Sequence, residues 1–514
     1  MTPPLPGLPA LSSEAPSGLP QRVLSLPQTL PLLDTAGVRQ LEAQAMRTVP
    51  AHTLMHRAGA AVTQLALALA PHARQVWIAA GPGNNGGDGL EAAWRLHRAG
   101  KQVLLTLLGD PARLPADAAQ AWTRAQEAGV VVQAQAPSGL GRDDLIIDAL
   151  LGIGGSRPPE GVLAQTIMAI NGLGRSAARP AGPRILAIDL PSGLQADTGV
   201  ALDAQACVHA TDTLTVLALK PGLFTGVGRD VAGELWFSDL GCSGAQVQAA
   251  CAELVGADIQ QALAPRRHTQ HKGSFGSVWV VGGAAGMQGA ATLAAAAALR
   301  CGAGRVYLAA LADAAALPPL WPELMPRALD LDAVAQPEVV TVCGCGGGTA
   351  VAEVLPELLR RAPRLLIDAD GLNAVGSDPG LQTLLSARAA HGFSTVLTPH
   401  PLEAARLLGC GAAEVQADRL RAAQALSARY ACVALLKGSG SVIAAPGAPP
   451  AINRSGNAAL ATAGSGDVLA GLIGGLWAQG VPARDAALLA AYRHGRVADL
   501  SGRDRLVAAD LLGA

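Results

Sequence analysis

Aromatic side chains make up only 3% of the 514 residues, with 7 Trp, 4 Phe and 3 Tyr. Single-stranded nucleic acids are held on stacked aromatic platforms, so this shortage counts against that class of partner. Charge is also scarce. Asp, Glu, Lys and Arg together are 15%, the formal net charge is −1, and no basic stripe is present. A dedicated nucleic-acid protein needs clustered Lys and Arg to neutralise phosphates, so none is expected as a partner. Long apolar runs free of charge and turn residues are missing. Ala290–Leu299 is apolar, but a membrane helix needs roughly 20 such residues, so no membrane association is expected. The N-terminus lacks the basic start and apolar segment of a secretory signal. Residues 1–30, rich in Pro, Ser and Leu, are expected to form a flexible lead. The 8 cysteines are scattered, and only Cys343 and Cys345 lie close together. A Cys-x-Cys pair without further ligands reads first as small buried apolar residues. Scattered cysteines in a long chain fit a reducing, cytoplasmic compartment.

What is plentiful is apolar and glycine content: 50% hydrophobic residues and 61 Gly. The length implies more than one domain. Helical patterns run from Leu33 to Met46 and around Leu54–Ala70. Short apolar runs then alternate with helices. Strands are expected at Gln75–Ala80, Gln102–Leu108, Leu145–Leu150, Ile185–Leu190 and Thr213–Leu219, with Glu234–Asp239 as a closing edge. Helices are expected at Gly87–Arg98 and Asp117–Ala128. Near-continuous apolar strands alternating with helices predict a parallel sheet covered on both faces. Between Gly241 and Lys272 the strands stop, and a helix and a loop are expected there. The alternation restarts with Ser277–Val281, Gly289–Arg300 and Gly304–Ala309. It continues through Val339–Cys343, Leu365–Asp368, Thr395–Thr398, Val433–Lys437 and Ser441–Ala444 to helices at Val468–Gln479 and Ala483–Leu500. The expected organisation is a lead over 1–30, an α/β domain over 31–241, a linker over 242–264 and a second α/β domain over 265–514.

In the first domain the loop Gly81–Gly89, GPGNNGGDG, follows a strand and opens a helix. It contains the glycine spacing of a dinucleotide fingerprint, and Asp110 lies near the end of the next strand. Asp88 and two asparagines crowd the loop where a pyrophosphate wants bare backbone, and no hydride-transfer acid–base set follows. Asp148 and Asp189 end two further strands, and Ser192 follows Asp189 closely. Ligands of parallel sheets bind at such carboxyl ends. An oxygen-only donor set suits a hard cation.

In the second domain Ala463–Gly471 reads AGSGDVLAG. A Gly-Ser-Gly turn there delivers Asp467 to the start of an apolar helix. Helix N-termini favour phosphate, and a carboxylate beside one is placed to take a proton from an attacking hydroxyl. A helix cap after a glycine turn is the alternative reading. Gly-rich or polar stretches at His271–Gly276, Gly282–Ala290, Gly344–Thr349, Asp368–Asn373, Thr398–Glu403 and Lys437–Ser441 mostly follow strands, so they share one rim of the sheet.

Residues from about 31 to 241 resemble the YjeF N-terminal domain, the NAD(P)HX epimerase family. The motifs GPGNNGGDG, DALLGIG and DLPSGL, with Thr215 and Lys220-Pro221-Gly222, carry the resemblance. It implies a Rossmann-like doubly wound α/β/α sandwich, epimerisation of the hydrated nicotinamide at C6, and one potassium ion. By match, potassium is held by Asn85, Asp148 and Ser192. The damaged nucleotide meets Asn84, Asn85, Gly86, Gly87, Asp88, Gly152, Ile153, Gly154, Gly155, Ser156, Arg157, Pro158 and Asp189. Asp189 is the expected proton-handling carboxylate, with Lys220 or Asp88 as aids. The segment around Asn171–Pro183 is longer than the pattern.

The second set of motifs, over about 265–505, resembles the YjeF C-terminal domain, the ADP-dependent NAD(P)H-hydrate dehydratase family with a ribokinase-like fold. That implies phosphorylation of the 6-hydroxyl by ADP, then loss of phosphate to restore the dihydronicotinamide, with AMP released. Asp467 is the expected base. Ala290, Gly346, His400 and Asp467 would contact the hydrate, and Lys437, Gly438, Ser439, Gly440, Ser441 and Gly466 the adenine nucleotide. Magnesium is expected as a charge neutraliser. Leu402, Ser441 and Gly371 depart from the family's usual glycine, threonine and alanine, and none removes a catalytic group. The expected partners are NADHX or NADPHX and ADP, in a homo-oligomer. The alternative reading is a ribokinase-like small-molecule kinase carrying a non-catalytic N-terminal binding module.

Overall fold

The computed structural model describes residues 18–242, 250–312 and 321–514. These form two compact α/β units, one built mainly from residues 31–251 and the other from 252–514.

In the first unit the strands Gln75–Ala80, Leu145–Ala149, Arg184–Ile188 and Asp212–Val216 are parallel and almost wholly buried. Their continuous apolar runs suit a sheet covered on both faces. The helix Asn84–Arg98 packs on one such face. Its Gly89 lets it lie against Ala149, where a Cβ would sit 2.5 Å from that side chain. Strand order supplies the functional geometry. From Gln75–Ala80 the sheet grows one way through Gln102–Leu107 to Val131–Val132. It grows the other way through Leu145–Ala149. The carboxyl ends of Gln75–Ala80 and Leu145–Ala149 therefore flank a point where the order reverses, the usual crevice of a doubly wound sheet.

Two expectations at the ends of this unit change. Glu234–Ser238 is not the edge, because Gln21–Arg22 pairs antiparallel with it at Trp236 and Phe237. The lead therefore does not extend to residue 30. Arg22 bonds Glu234, while residues 1–17 lie outside the described residues. The linker over 242–264 is also shorter than expected. Ala252–Val255 is a strand, parallel to Ala451–Asn453.

In the second unit the order is Met325–Pro326, Arg305–Ala310, Ser277–Gly282, Val339–Cys343, Arg364–Ile367, Ser394–Leu397, Val433–Leu436, Val442–Ala444, Ala451–Asn453 and Ala252–Val255. The pairings are parallel up to Val433–Leu436, and the hairpin strands that follow are antiparallel. Here the order reverses between Ser277–Gly282 and Val339–Cys343. The helix Ser465–Ala478 covers this point and packs on the Ala-rich helix Gln288–Arg300. The contact is close because both partners are small. A Cβ on Gly471 would lie 2.0 Å from the Ala294 carbonyl oxygen. No described helix is long and apolar enough to cross a membrane.

Candidate active sites

The reversal point of the first sheet opens into a cavity of about 430 Å³. Asn84, Asn85, Asp88, Gly152, Ile153, Gly154, Gly155, Asp189 and Lys220 line it, as do Glu42 and Asp117. Gly86 and Gly87 are buried beneath the loop. A Cβ on Gly86 would meet the Gly81 carbonyl oxygen at 1.9 Å, so the turn admits only glycine there. Ser156, Arg157 and Pro158 are exposed beyond the rim and do not line the cavity. Asp110 accepts a hydrogen bond from the Ala112 amide at 2.9 Å as a turn cap, so it has the local role of a loop residue.

Asp189 ends its strand with φ +67°, a left-handed conformation rarely taken by a residue with a Cβ. Such strain persists only where surrounding bonds impose it. They do so here: Asp189 N–H donates to the Leu214 carbonyl at 2.7 Å, and the Asp189 carboxylate is ion-paired to the fully buried Lys220 ammonium. Lys220 also donates to Thr215 Oγ1 at 3.0 Å and to the Val216 carbonyl at 2.8 Å. Asp88 is pushed well above the usual carboxylate range by burial and by the charges of Asp189 and Glu42.

Asp148 is fully buried. It accepts from Ser192 Oγ at 2.7 Å and from the Ser192 amide at 2.8 Å. Burial raises it to about 6 against those bonds. Ser192 Oγ in turn accepts from the Leu151 amide at 2.8 Å. The Asn85 side-chain nitrogen is buried and, among the described residues, has no hydrogen-bond partner. Among the described residues the buried Asp148 carboxylate has no ion pair; together with the Ser192 hydroxyl and the Asn85 side-chain carbonyl it offers the oxygen donors that suit a hard monovalent cation.

In the second unit Asp467 stands in the first turn of Ser465–Ala478, after Gly464 at φ +86°. The metal-ligating atoms of Asp467, Asp368 and Cys345 lie within 4.8 Å of one another. Asp368, at the end of Arg364–Ile367, accepts from Lys437 Nζ at 2.7 Å and from Thr398 Oγ1 at 2.8 Å. Burial raises Asp467 to about 6. The negative charge of Asp368 adds to this, while the Cys345 thiol and Lys437 oppose it. Burial alone would lower Lys437, but Asp368 and Glu403 outweigh it, so its ammonium stays charged. The thiol, itself pushed well above its usual range by burial, donates to the Asp467 carboxylate. A protonated sulfur and a carboxylate already paired to lysine make a poor magnesium cage.

The other expected residues gather around this cluster. Gly466 lies against Lys437, whose Nζ would be 3.3 Å from a Cβ there. Gly346 packs on Ala290, whose Cβ would be 2.9 Å from a Cβ at position 346. His400 caps the helix Pro401–Leu408. Its Nδ1 accepts from the Leu402 and Glu403 amides at 3.1 and 3.2 Å, and its Nε2 is 3.3 Å from Glu403. Burial and Lys437 hold the imidazole below its usual range, and hence neutral. The loop Lys437–Ser441 is braced from beneath by buried Arg419, which donates to the Leu436, Lys437 and Gly440 carbonyls. Ser441 Oγ donates to the Gly438 carbonyl. Cys345, Thr398, Glu403, Arg419 and Glu42 were not singled out from sequence as site residues. Asp368 and Cys345 at least lie in strand-end motifs, whereas nothing local marks Arg419.

Residues 51–222 match the family model described as YjeF-related protein N-terminus, and residues 278–513 the model described as NAD(P)H-hydrate dehydratase. A relative from Escherichia coli strain K12, the bifunctional NAD(P)H-hydrate repair enzyme Nnr, is 37% identical over 489 residues, covering 93% of this chain and 90% of its own. The enzyme of the same name from Moorella thermoacetica is 36% identical, with 94% and 95% covered. The solved ADP/ATP-dependent NAD(P)H-hydrate dehydratase from Bacillus subtilis, co-crystallized with ATP/Mg2+, is 28% identical. It covers 49% of this chain and 92% of its own at a TM-score of 0.43. Fold and sites thus define a two-domain α/β enzyme with a polar site at the reversal point of each sheet. The chain belongs to the bifunctional NAD(P)H-hydrate repair enzyme family.

Proposed function

We propose that this chain repairs hydrated NADH and NADPH. The first unit interconverts the R and S forms at C6, and the second dehydrates the S form at the expense of ADP. The observation that carries this reading is the match to one bifunctional relative across 93% of this chain and 90% of that relative. A kinase with an accessory binding module would not account for a match of that extent.

In the dehydratase, Asp467 takes the proton of the 6-hydroxyl as its oxygen attacks the β-phosphorus of ADP. The amides of Gly464–Gly466 and the helix N-terminus meet the charge on the transferred group. Lys437, Gly438, Ser439, Gly440, Ser441 and Gly466 hold the nucleotide, on a loop braced by Arg419. Ala290, Gly346 and His400 position the hydrate. AMP leaves first. The C6–O bond then breaks with loss of a C5 proton, phosphate departs, and the C5=C6 double bond returns. Magnesium would neutralise phosphate charge in such a transfer; the cluster around Asp467 is not built to hold it.

In the epimerase, Asn85, Asp148 and Ser192 would hold potassium, whose charge would offset the buried Asp148. Asn84–Asp88 and Gly152–Gly155 hold the nucleotide, and Asp189, fixed by Lys220, handles the proton. The chain works as a homo-oligomer in the cytoplasm. Incubation with mixed R and S hydrates, ADP and magnesium tests the whole reading through the return of reduced-nicotinamide absorbance.

A further inference from the structure

Two carboxyl groups of the first cavity have no part in that account: Asp117, which faces His52 Nδ1 at 2.7 Å, and Glu42. Glu42 lies in the helix Thr35–Met46, which lends Val38, Arg39, Glu42 and Met46 to the cavity wall. Among the described residues it has no hydrogen bond and no ion pair. It is part-buried. Burial first, then the charge of Asp189, raise it above the usual carboxylate range; Lys220 and Arg39 oppose the rise and Asp117 adds to it. Of the four carboxyl groups that line the cavity, Glu42, Asp88, Asp117 and Asp189, the first and last are unlike. Asp189 is fixed and paired to a buried ammonium, whereas Glu42 is unpaired and disposed to keep a proton.

Inversion at C6 by loss and re-addition of water uses two such groups. C6 of the hydrate carries a hydroxyl and adjoins the ring nitrogen N1. In the route that two carboxyl groups can serve, the C6–O bond breaks. The N1 lone pair forms N1=C6 while the oxygen leaves as water with an added proton. Water then adds to the other face of the flat, cationic carbon and gives up a proton. One group must donate and another accept. The Asp189 carboxylate on the cavity wall favours the cationic ring.

We infer that Glu42 and Asp189 are the acid–base pair of this inversion: Glu42 protonates the departing 6-hydroxyl, and Asp189 takes the proton of the water that adds to the opposite face. The pair shares one proton, which ends on Asp189 and serves inversion in the reverse sense. No atom or electron is gained or lost overall. The inference rests on the epimerase reading above.

The test is inversion of the pure R form by the full chain without ADP, with the two forms separated by chromatography and the rate followed against pH. Wild type, Glu42→Gln and Glu42→Asp are compared. Glu42→Gln is expected to be slower by about 100-fold or more, the scale of a lost acid–base group, with Glu42→Asp between the two. The bell-shaped pH profile of the wild type should lose its limb for the shared proton. In oxygen-18 water each inversion should place one solvent oxygen on C6. A Glu42→Gln rate within about threefold of wild type, too small for a lost acid–base group, overturns the inference. So does a loss confined to KM with the pH profile unmoved, or a product without solvent oxygen. A wild type that does not invert at all refutes instead the epimerase reading on which the inference rests.

Discussion

Replacing Cys345 with alanine removes the thiol that donates to the Asp467 carboxylate and leaves the carboxylate otherwise in place. Asp467 titrates at about 6 with the thiol present. Burial has raised it, and the thiol and Lys437 hold it down. A hydrogen bond to a charged group is worth about 1.5–3 kcal/mol, and a thiol is a weak donor, so about half of the lower figure to the whole of it is a fair range. One pKa unit corresponds to about 1.4 kcal/mol, so Asp467 should rise by roughly half a unit to one unit. The sign follows from the chemistry. The base works ionised, so activity is present above its pKa and is lost as pH falls through it. At about pH 6 the ionised fraction should drop from about one half to between a quarter and a tenth, a two- to fivefold loss of kcat/KM. At about pH 8 the two proteins should differ by no more than about 10% on this account. The assay is ADP-dependent dehydration of the S form from about pH 5 to pH 9, chosen to span the limb. Cys345→Ser, which restores a hydroxyl donor, should bring the limb back toward wild type. A limb that stays put in Cys345→Ala, or moves to lower pH, would refute the role given to the thiol.

Further outcomes are expected. Lys437→Met strands Asp368, which is 1% exposed at its side chain, without its cation; urea unfolding should show about 3 kcal/mol or more lost. Arg419→Met removes the donors under the Lys437–Gly440 carbonyls. It should raise the KM for ADP on the order of tenfold through a misplaced loop, measured at saturating hydrate. Gly471→Ala forces the helices Ser465–Ala478 and Gln288–Arg300 apart at a 2.0 Å contact, for an expected loss of about 1–3 kcal/mol by chemical denaturation. Asp148→Asn removes the buried charge of the proposed cation site; epimerisation should lose its dependence on potassium in a titration of that ion.

The architecture was legible wherever buried strands end in glycine or a polar turn. Gln75–Ala80 and Val339–Cys343 are continuous apolar runs of this kind, and both fall where the sequence predicts them. Gln21–Arg22 and Ala252–Val255 were not legible. The first is two polar residues that become a strand only by pairing with Trp236 and Phe237. The second is a short run that gains its identity from Ala451–Asn453. The helix Gly161–Leu173 also escaped notice, because its apolar residues spread round the helix and leave no stripe to read. The sites divide in the same way. Strand-end motifs announce Asp189 and Asp368, since the chain must turn there and polar groups collect. Glu42 looks like any solvated helix residue until the fold sets its helix against the cavity. Arg419 braces the loop Lys437–Ser441 from a neighbouring helix, and no pattern in either segment records that contact.

The central claim is that both halves of one repair reaction reside in this chain. Its most direct test is the extent of recovery from a mixture of R and S hydrates with ADP and magnesium. The account predicts that reduced-nicotinamide absorbance returns to the value for all the hydrate present, and that Asp467→Asn abolishes this return while inversion of R to S continues. Recovery that stops at the S fraction, or an Asp467→Asn chain that still dehydrates, would contradict it.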